Sequence, residues 1–129
     1  MKYTAERIRI IKVFKKYSRL GLASGKLDAL EVYGRIIGCS RGKKEARELL
    51  AVYDTVRFLG IIGKKDCLDA LRKIYFFQPY VSIGRNGINE RVGRYACENY
   101  CDARTVYRRL SYAVSVYKKF LGESFSGSL

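Results

Sequence analysis

The sequence predicts an all-α protein of about six helices. Apolar residues recur with the 3.6-residue period of amphipathic helices in six stretches. Pro79 is the only proline among 129 residues, which favours long uninterrupted helices over a turn-rich β fold. Residues 75–83 form the only stretch that resembles a strand. Hydrophobic residues make up 48% of the chain, enough for the core of one ordinary domain or of two very small ones.

The first two predicted helices span about residues 4–20 and 26–39. Thr4 is the expected N-cap of the first helix, and a glycine ends it. The apolar residues of the first helix include Ile8, Ile10, Ile11, Val13, Phe14 and Tyr17. The residues of the second helix expected to share one face are Leu27, Leu30, Tyr33, Gly34 and Ile37. Gly34 and Gly38 lie four residues apart, a spacing that predicts the close approach of another helix.

The third and fourth predicted helices span about residues 43–59 and 64–76, with two glycines between them. The third helix has the most regular apolar stripe in the chain, formed by Ala46, Leu49, Leu50, Tyr53 and Val56. Charged residues cover much of its remaining surface. The apolar set of the fourth helix is Cys67, Leu68, Leu71, Ile74 and Tyr75.

The clearest break in the chain lies at residues 78–87, which contain Pro79 and the turn pair Asn86-Gly87. We place the boundary between two regions there. Residues 1–80 are interpreted as an N-terminal helical region for support or interaction. Residues 81–129 are interpreted as a C-terminal module with a short flexible tail rich in serine and glycine.

The composition excludes much catalytic and metal chemistry. The chain has no histidine, so a histidine-based triad, a Cys–His dyad and a histidine metal ligand are all impossible. A zinc site built from cysteine pairs normally needs a second pair, which is absent. We therefore predict no enzyme activity, no metal and no cofactor. Reduced and mostly buried thiols are expected for Cys39, Cys67, Cys97 and Cys101.

The charge balance points to an anionic partner. The chain carries 26 basic and 12 acidic residues, a formal net charge of +14. No apolar run approaches the roughly 18 residues of a membrane span, and no secretory signal is visible at the start. We therefore expect a cytoplasmic protein whose partner is a nucleic acid, not a membrane.

The last two predicted helices span about residues 88–99 and 103–121, joined by a tight turn. Asp102 is expected to cap the second of them by accepting a hydrogen bond from the amide of Thr105. A helical projection gathers one apolar face, which we expect to be buried, from Val106, Leu110, Ala113, Val114 and Tyr117.

The opposite face of this last helix is basic and rich in hydrogen-bond donors. At 100° per residue, Arg104 and Arg108 lie about 140° and 180° from the centre of the apolar face. A helix with arginines in its first two turns suits the major groove of DNA, because arginine makes bidentate contacts with guanine and with phosphate. The residues predicted to contact DNA are Arg104, Thr105, Tyr107, Arg108, Arg109, Ser111 and Tyr112.

The same residues carry a family resemblance. The pattern of Ala96, Glu98, Asp102, Thr105-Val106-Tyr107-Arg108 and Leu110 resembles the helix-turn-helix of sigma factor region 4. It is closest in manner to small transcription regulators of phages and mobile elements in Gram-positive bacteria. The resemblance covers about residues 88–121 and implies binding to promoter DNA, with RNA polymerase as an implied partner.

The turn departs from the family pattern. The family usually has Leu-Gly-Ile or Leu-Gly-Val entering the turn, whereas this chain has Asn99-Tyr100-Cys101. Asparagine tolerates left-handed backbone geometry, so we expect Asn99 to help form the turn, with its register shifted by one residue. The first 80 residues show no promoter-melting module, so the chain is not interpreted as a complete sigma factor.

Alternative interpretations remain open at this point. Residues 1–19 carry seven basic residues against Glu6 alone. They could form a second patch that contacts the DNA backbone, a membrane-surface helix, or a core helix with a solvated basic rim. The whole chain could instead be a small helical RNA-binding subunit of a ribonucleoprotein, or a protein-interaction module that reuses the fold. The sequence does not decide between a monomer and a homodimer.

Overall fold

The computed structural model describes residues 4–79 and 87–122 and confirms the all-α prediction. The described residues form six α-helices and contain no strand. Of the strand-like stretch, Tyr75 ends a π-helical turn and residues 76–79 form bends and a turn. The remainder of that stretch, most of the predicted tail and most of the predicted boundary lie outside the described residues. The helices are α1 (Ala5–Arg19), α2 (Ala29–Cys39), α3 (Lys43–Ile61), α4 (Lys65–Ala70), α5 (Gly87–Glu98) and α6 (Ala103–Leu121).

Side-chain caps determine where the first two helices begin. The Thr4 hydroxyl accepts a hydrogen bond from the amide of Arg7 at 3.1 Å, which confirms Thr4 as the N-cap of α1. The carboxylate of Asp28 accepts from the amide of Glu31 at 2.8 Å and caps α2. Helix α2 therefore begins three residues later than predicted, because the cap lies at Asp28 and a short 3₁₀ turn precedes it.

Helix α4 continues as a π-helical turn over Leu71–Tyr75, which the sequence did not predict. The turn closes with a hydrogen bond from the amide of Phe76 to the carbonyl of Leu71, at 2.8 Å. Its free carbonyls are used by other helices. Arg91 of α5 donates to the carbonyl of Ile74 at 2.8 Å, and Ser18 of α1 donates to the carbonyl of Phe76 at 2.8 Å. The end of α4 therefore holds α1 and α5 in place.

One apolar core runs through all six helices. Its centre is Phe14 of α1, whose ring lies 5.6 Å from that of Tyr75 and 5.3 Å from that of Tyr117, between ring centroids. Both contacts are edge-to-face, the arrangement that aromatic rings prefer. Helix α6 packs mainly against α3, α4 and α5, so the C-terminal helices share their core with the N-terminal ones.

The apolar face predicted for α2 is wrong. The buried residues of α2 are Val32 and Ile36, whereas Leu30 is 82% exposed and Ile37 is 70% exposed. A Cβ placed on Gly34 or Gly38 would meet no atom within 4 Å, so no described residue packs closely against either glycine. The helix carries apolar residues on more than one side, so periodicity alone could not choose the face that packs.

The stripe predicted for α3 is only partly correct. Leu49 is fully buried as expected, but Ala46, Leu50, Tyr53 and Val56 are half-buried. The other buried residues of α3 are Ala51, Val52, Thr55 and Leu59. The Thr55 hydroxyl donates to the carbonyl of Ala51 at 2.7 Å. This bond satisfies the hydroxyl within its own helix and allows a polar residue to occupy the core.

The four cysteines are free thiols, as expected, but the prediction that they are mostly buried is wrong. Only Cys67 is buried, while Cys39 and Cys97 are exposed and Cys101 is half-buried. Burial raises the pKa of the Cys67 thiol. The three others lie at the end of α2, in the last turn of α5 and in the turn that follows α5, where the helix ends are open to solvent.

Candidate nucleic-acid interface

The turn between α5 and α6 is closed by backbone hydrogen bonds. The amide of Cys101 donates to the carbonyl of Ala96 at 3.0 Å, the long bond of a Schellman-type helix ending. Tyr100 is the residue in the left-handed region, with φ of 54°, and its side chain is 98% exposed. The expectation that Asn99 takes this geometry is therefore wrong. Asn99 instead donates its side-chain amide to the carbonyl of Tyr95 at 2.8 Å.

Replacing Tyr100 with glycine should stabilise the protein. A non-glycine residue in the left-handed region costs about 1 kcal/mol, and the exposed tyrosine ring packs against little that would offset this cost. We expect Tyr100→Gly to raise the free energy of unfolding by about 1 kcal/mol in urea denaturation. Asn99→Gly is the matched control, and it should give no gain because Asn99 has a negative φ. A gain at residue 99 and none at residue 100 would contradict this turn geometry.

Helix α6 begins and ends at the predicted residues because its cap is well defined. The carboxylate of Asp102 accepts a hydrogen bond from the amide of Thr105 at 2.8 Å. The hydrogen bonds from Thr105, followed by the charges of Arg104 and Arg108, lower the pKa of the Asp102 carboxyl. The carboxylate therefore stays ionised near neutral pH, beside the positive end of the helix dipole.

The inward face of α6 confirms the predicted register. Val106, Leu110 and Ala113 are fully inaccessible to solvent, and Val114 and Tyr117 are nearly so. Val116 is also buried, which widens the face slightly. Since the whole apolar face is occupied by α3, α4 and α5, the opposite face is the one available to a partner.

Arg104 and Arg108 are both exposed on this outward face, as predicted. They lie one turn apart, which corresponds to about 6 Å along the helix axis. Both follow the Asp102 cap closely, so they stand in the first two turns of α6. Two guanidinium groups at this spacing can reach two neighbouring phosphates or base edges on one nucleic-acid strand.

Two other residues predicted to contact DNA make contacts within the protein. The hydroxyl of Tyr107 donates to the side-chain oxygen of Asn89 in α5, and Tyr107 is half-buried. The Arg109 guanidinium lies 3.8 Å from the carboxylate of Asp66 in α4 and is also half-buried. These two side chains hold α6 against its neighbours, so they position the outward face of the helix.

The remaining residues predicted to contact DNA are Thr105, Ser111 and Tyr112, and they differ in exposure. Thr105 and Ser111 are half-buried at the edges of the outward face, whereas Tyr112 is exposed. The ammonium group of Lys64 lies 5.6 Å from the centre of the Tyr112 ring, a cation–π contact. Lys64 thus adds a positive charge next to α6. Sequence reasoning missed Lys64 because the contact joins residues that are far apart in the chain.

Helix α5 is fixed on α4 through a buried phenol. The hydroxyl of Tyr95 donates to the carboxylate of Asp69 at 2.7 Å. Burial, followed by the neighbouring Asp69 carboxylate, raises the pKa of Tyr95 to about 12. The phenol therefore remains a neutral hydrogen-bond donor at physiological pH.

Within residues 4–79 and 87–122, no three histidine, cysteine, aspartate or glutamate side chains converge where a metal ion could bind. The spacing of Cys97 and Cys101 thus has no further ligands around it in that part of the chain. None of the helices described there is both long and apolar enough to cross a bilayer.

Comparison of the chain with protein-family models, with curated proteins and with solved structures finds no significant match.

Proposed function

We propose that this protein is a sequence-specific, DNA-binding transcription regulator that places α6 in the major groove. The observation that carries the proposal is the pair of exposed arginines, Arg104 and Arg108, on a helix whose opposite face is completely buried. The major groove is wide enough to admit an α-helix, and arginine is the residue that most often reads guanine there. The resemblance to the sigma region 4 helix-turn-helix supports the same assignment.

The arrangement around α6 is consistent with this role. Tyr107 and Arg109 tie the helix to α5 and α4, so its outward face is held by a rigid support. The net charge of +14 would attract duplex DNA at long range and favour fast association. In this proposal the protein acts in the cytoplasm, and RNA polymerase is the expected protein partner of a region 4-like module.

Selection of bound duplexes from a random-sequence library by the purified protein would test the proposal. A sequence-specific regulator should enrich one common motif. Its affinity for that motif should then fall steeply with salt, with a log–log slope of about −0.9 for each neutralised phosphate. Fluorescence anisotropy from low to physiological salt, with the enriched duplex and a scrambled duplex of equal length, measures both properties.

The alternatives predict different outcomes of the same experiment. An RNA-binding subunit should prefer single-stranded or hairpin RNA when RNA and duplex DNA compete at equal concentration. A protein-interaction module should bind neither nucleic acid at low salt, and the exposed Leu30 and Ile37 of α2 are the observation that favours it. Enrichment of no motif, together with a salt-insensitive complex, would contradict the proposed function.

A further inference from the structure

A second basic surface lies away from the beginning of α6, in a cleft between α1 and the beginning of α3. The cleft has a volume of about 540 Å³. Residues from α1 form one wall, and the segment from Arg41 to Leu49 forms the other. The sequence raised residues 1–19 as a possible second backbone-contacting patch, but it did not predict the other wall, because only folding brings the two segments together. Its basic lining residues are Arg9, Lys12, Lys16, Arg19, Arg41 and Lys44.

The positive charge of the cleft is only partly neutralised from within. Glu45 and Glu48 are its two carboxylates. Glu45 is bonded to the ammonium group of Lys16 and accepts the amide of Arg41 at 3.0 Å. These contacts lower the pKa of the Glu45 carboxyl, so the ion pair with Lys16 persists near neutral pH. Six basic and two acidic side chains line the cleft, so its lining carries a formal net charge of +4.

The four cations of α1 are spaced for an extended polyanion. Arg9, Lys12, Lys16 and Arg19 recur every three or four residues, so they follow one side of the helix. The row is about 15 Å long at 1.5 Å per residue. Phosphates of one duplex strand are about 3.4 Å apart along the axis, so about four of them would lie beside this row. Lys44 and Arg41 flank the row from the other wall.

The lining favours recognition of a duplex backbone over the alternatives. None of the described residues that line the cleft is aromatic, whereas proteins that bind single strands stack the bases on aromatic side chains. A membrane-surface helix would need its apolar face free, but Ile10, Ile11, Phe14 and Tyr17 of α1 are buried in the core. A duplex presents only phosphates to such a cleft and needs no base contact.

The cleft lies nearer to the end of α6 than to its beginning, where Arg104 and Arg108 stand. Arg47 near the start of α3 donates to the carbonyl of Leu121, the last residue of α6, at 3.3 Å. The start of α3 is thus about 25 Å from Arg104 along the axis of α6.

We propose that the cleft between α1 and α3 binds the phosphate backbone of a second segment of duplex DNA, without reading its sequence. The protein would then connect two DNA segments, one at α6 and one at the cleft. This inference goes beyond the proposed regulator, since it adds a second contact. It rests on the proposed binding of a duplex by α6, but not on which bases α6 reads.

Co-capture of two duplexes by the full chain tests the proposal. One duplex is attached to beads, and a second duplex of unrelated sequence carries a fluorophore. The native protein should retain the fluorescent duplex on the beads at low salt. The cleft variant Lys12→Glu/Lys44→Glu should reduce this retention roughly tenfold or more, because it removes two phosphate contacts and adds repulsion. Both lysines are exposed, so the fold should be preserved.

The matched control is Arg72→Glu/Lys73→Glu, which changes the net charge equally at two exposed residues outside the cleft. It should retain the second duplex to within about twofold of the native protein. If circular dichroism shows that Lys12→Glu/Lys44→Glu is unfolded, Lys12→Gln/Lys44→Gln is used instead, because it removes the same contacts without adding repulsion. Arg104→Ala/Arg108→Ala is measured with the selected duplex alone, so that a failure of duplex binding at α6 is distinguished from a failure of the cleft.

Three results would overturn the proposal. The first is undiminished co-capture by both cleft variants. The second is an equal loss in the cleft variant and in the Arg72/Lys73 control, which would indicate a general effect of net charge. The third is displacement of the fluorescent duplex by polyglutamate as effectively as by unlabelled duplex at equal charge concentration, which would identify the cleft as a site for acidic peptides.

Discussion

Val106→Asp should lower the free energy of unfolding by about 3 kcal/mol or more. Val106 is fully inaccessible to solvent, in the second turn of α6, where that helix packs against its neighbours. An aspartate there would have to bury a charge or take up a proton, and the apolar surroundings provide no partner. For a domain of this size the loss is a large fraction of the total stability. Thermal and urea unfolding followed by circular dichroism measure it directly.

Ala103→Asp is the control that separates burial from charge. Ala103 is the first residue of α6 and is exposed, so this substitution adds a carboxylate to the same helix at a position that stays in contact with water. An acidic residue in the first turn also interacts favourably with the helix dipole. The control should therefore melt at or slightly above the temperature of the native protein. If both variants melt like the native protein, Val106 does not pack as the structure has it.

Helix α6 could be predicted from the sequence because its pattern has a single solution. Most of its apolar residues fall on one side, Arg104 and Arg108 fall on the other, and Asp102 caps its first turn. Local hydrogen bonding and burial therefore agree on one register. All five predicted residues of the inward face are buried, and the predicted limits of the helix are the observed limits.

Helix α2 shows why the same reasoning can fail. It has apolar residues on several sides, and its contacts are mainly with α3. Which side packs is therefore decided by the tertiary contacts of Val32 and Ile36, not by the local period. Leu30 and Ile37 are left exposed as a result. No local pattern in the sequence distinguishes them from the buried Val32 and Ile36.

At the candidate interface, too, the sequence could not predict contacts between residues that are far apart in the chain. The pairing of Tyr107 with Asn89 and of Arg109 with Asp66 joins α6 to two other helices. Both residues look like DNA contacts on a helical projection, because a projection shows direction and not the neighbours that a side chain meets. The structure narrows the outward set to Arg104, Arg108 and Tyr112, with Lys64 added from the end of α3.

Arg104→Ala and Arg108→Ala should each weaken binding to the selected DNA motif by about 1–3 kcal/mol while leaving the fold intact. Both side chains are exposed, and an exposed helical arginine contributes little to stability, usually within about 0.5 kcal/mol. If the residues read bases, the scrambled duplex should lose much less affinity than the motif does, because it offers no matching base edge. Anisotropy titrations measure the affinity of each variant for the motif and for the scrambled duplex, and a melting curve measures its stability.

Arg72→Ala provides a matched control, since it removes one exposed arginine from the turn after α4 without touching α6. It should change binding to the motif and to the scrambled duplex by the same small amount.

Lys119→Ala tests a different role near the end of α6, where loss of a phosphate contact would weaken binding to both duplexes equally and reduce the salt slope by about 1. Equal losses on both duplexes for Arg104 and Arg108 would reassign them to phosphate contacts. No loss on either duplex would contradict the placement of α6 in the major groove and favour a protein-interaction role. The reason is that Arg104 and Arg108 are exposed on the face of α6 opposite to the buried one.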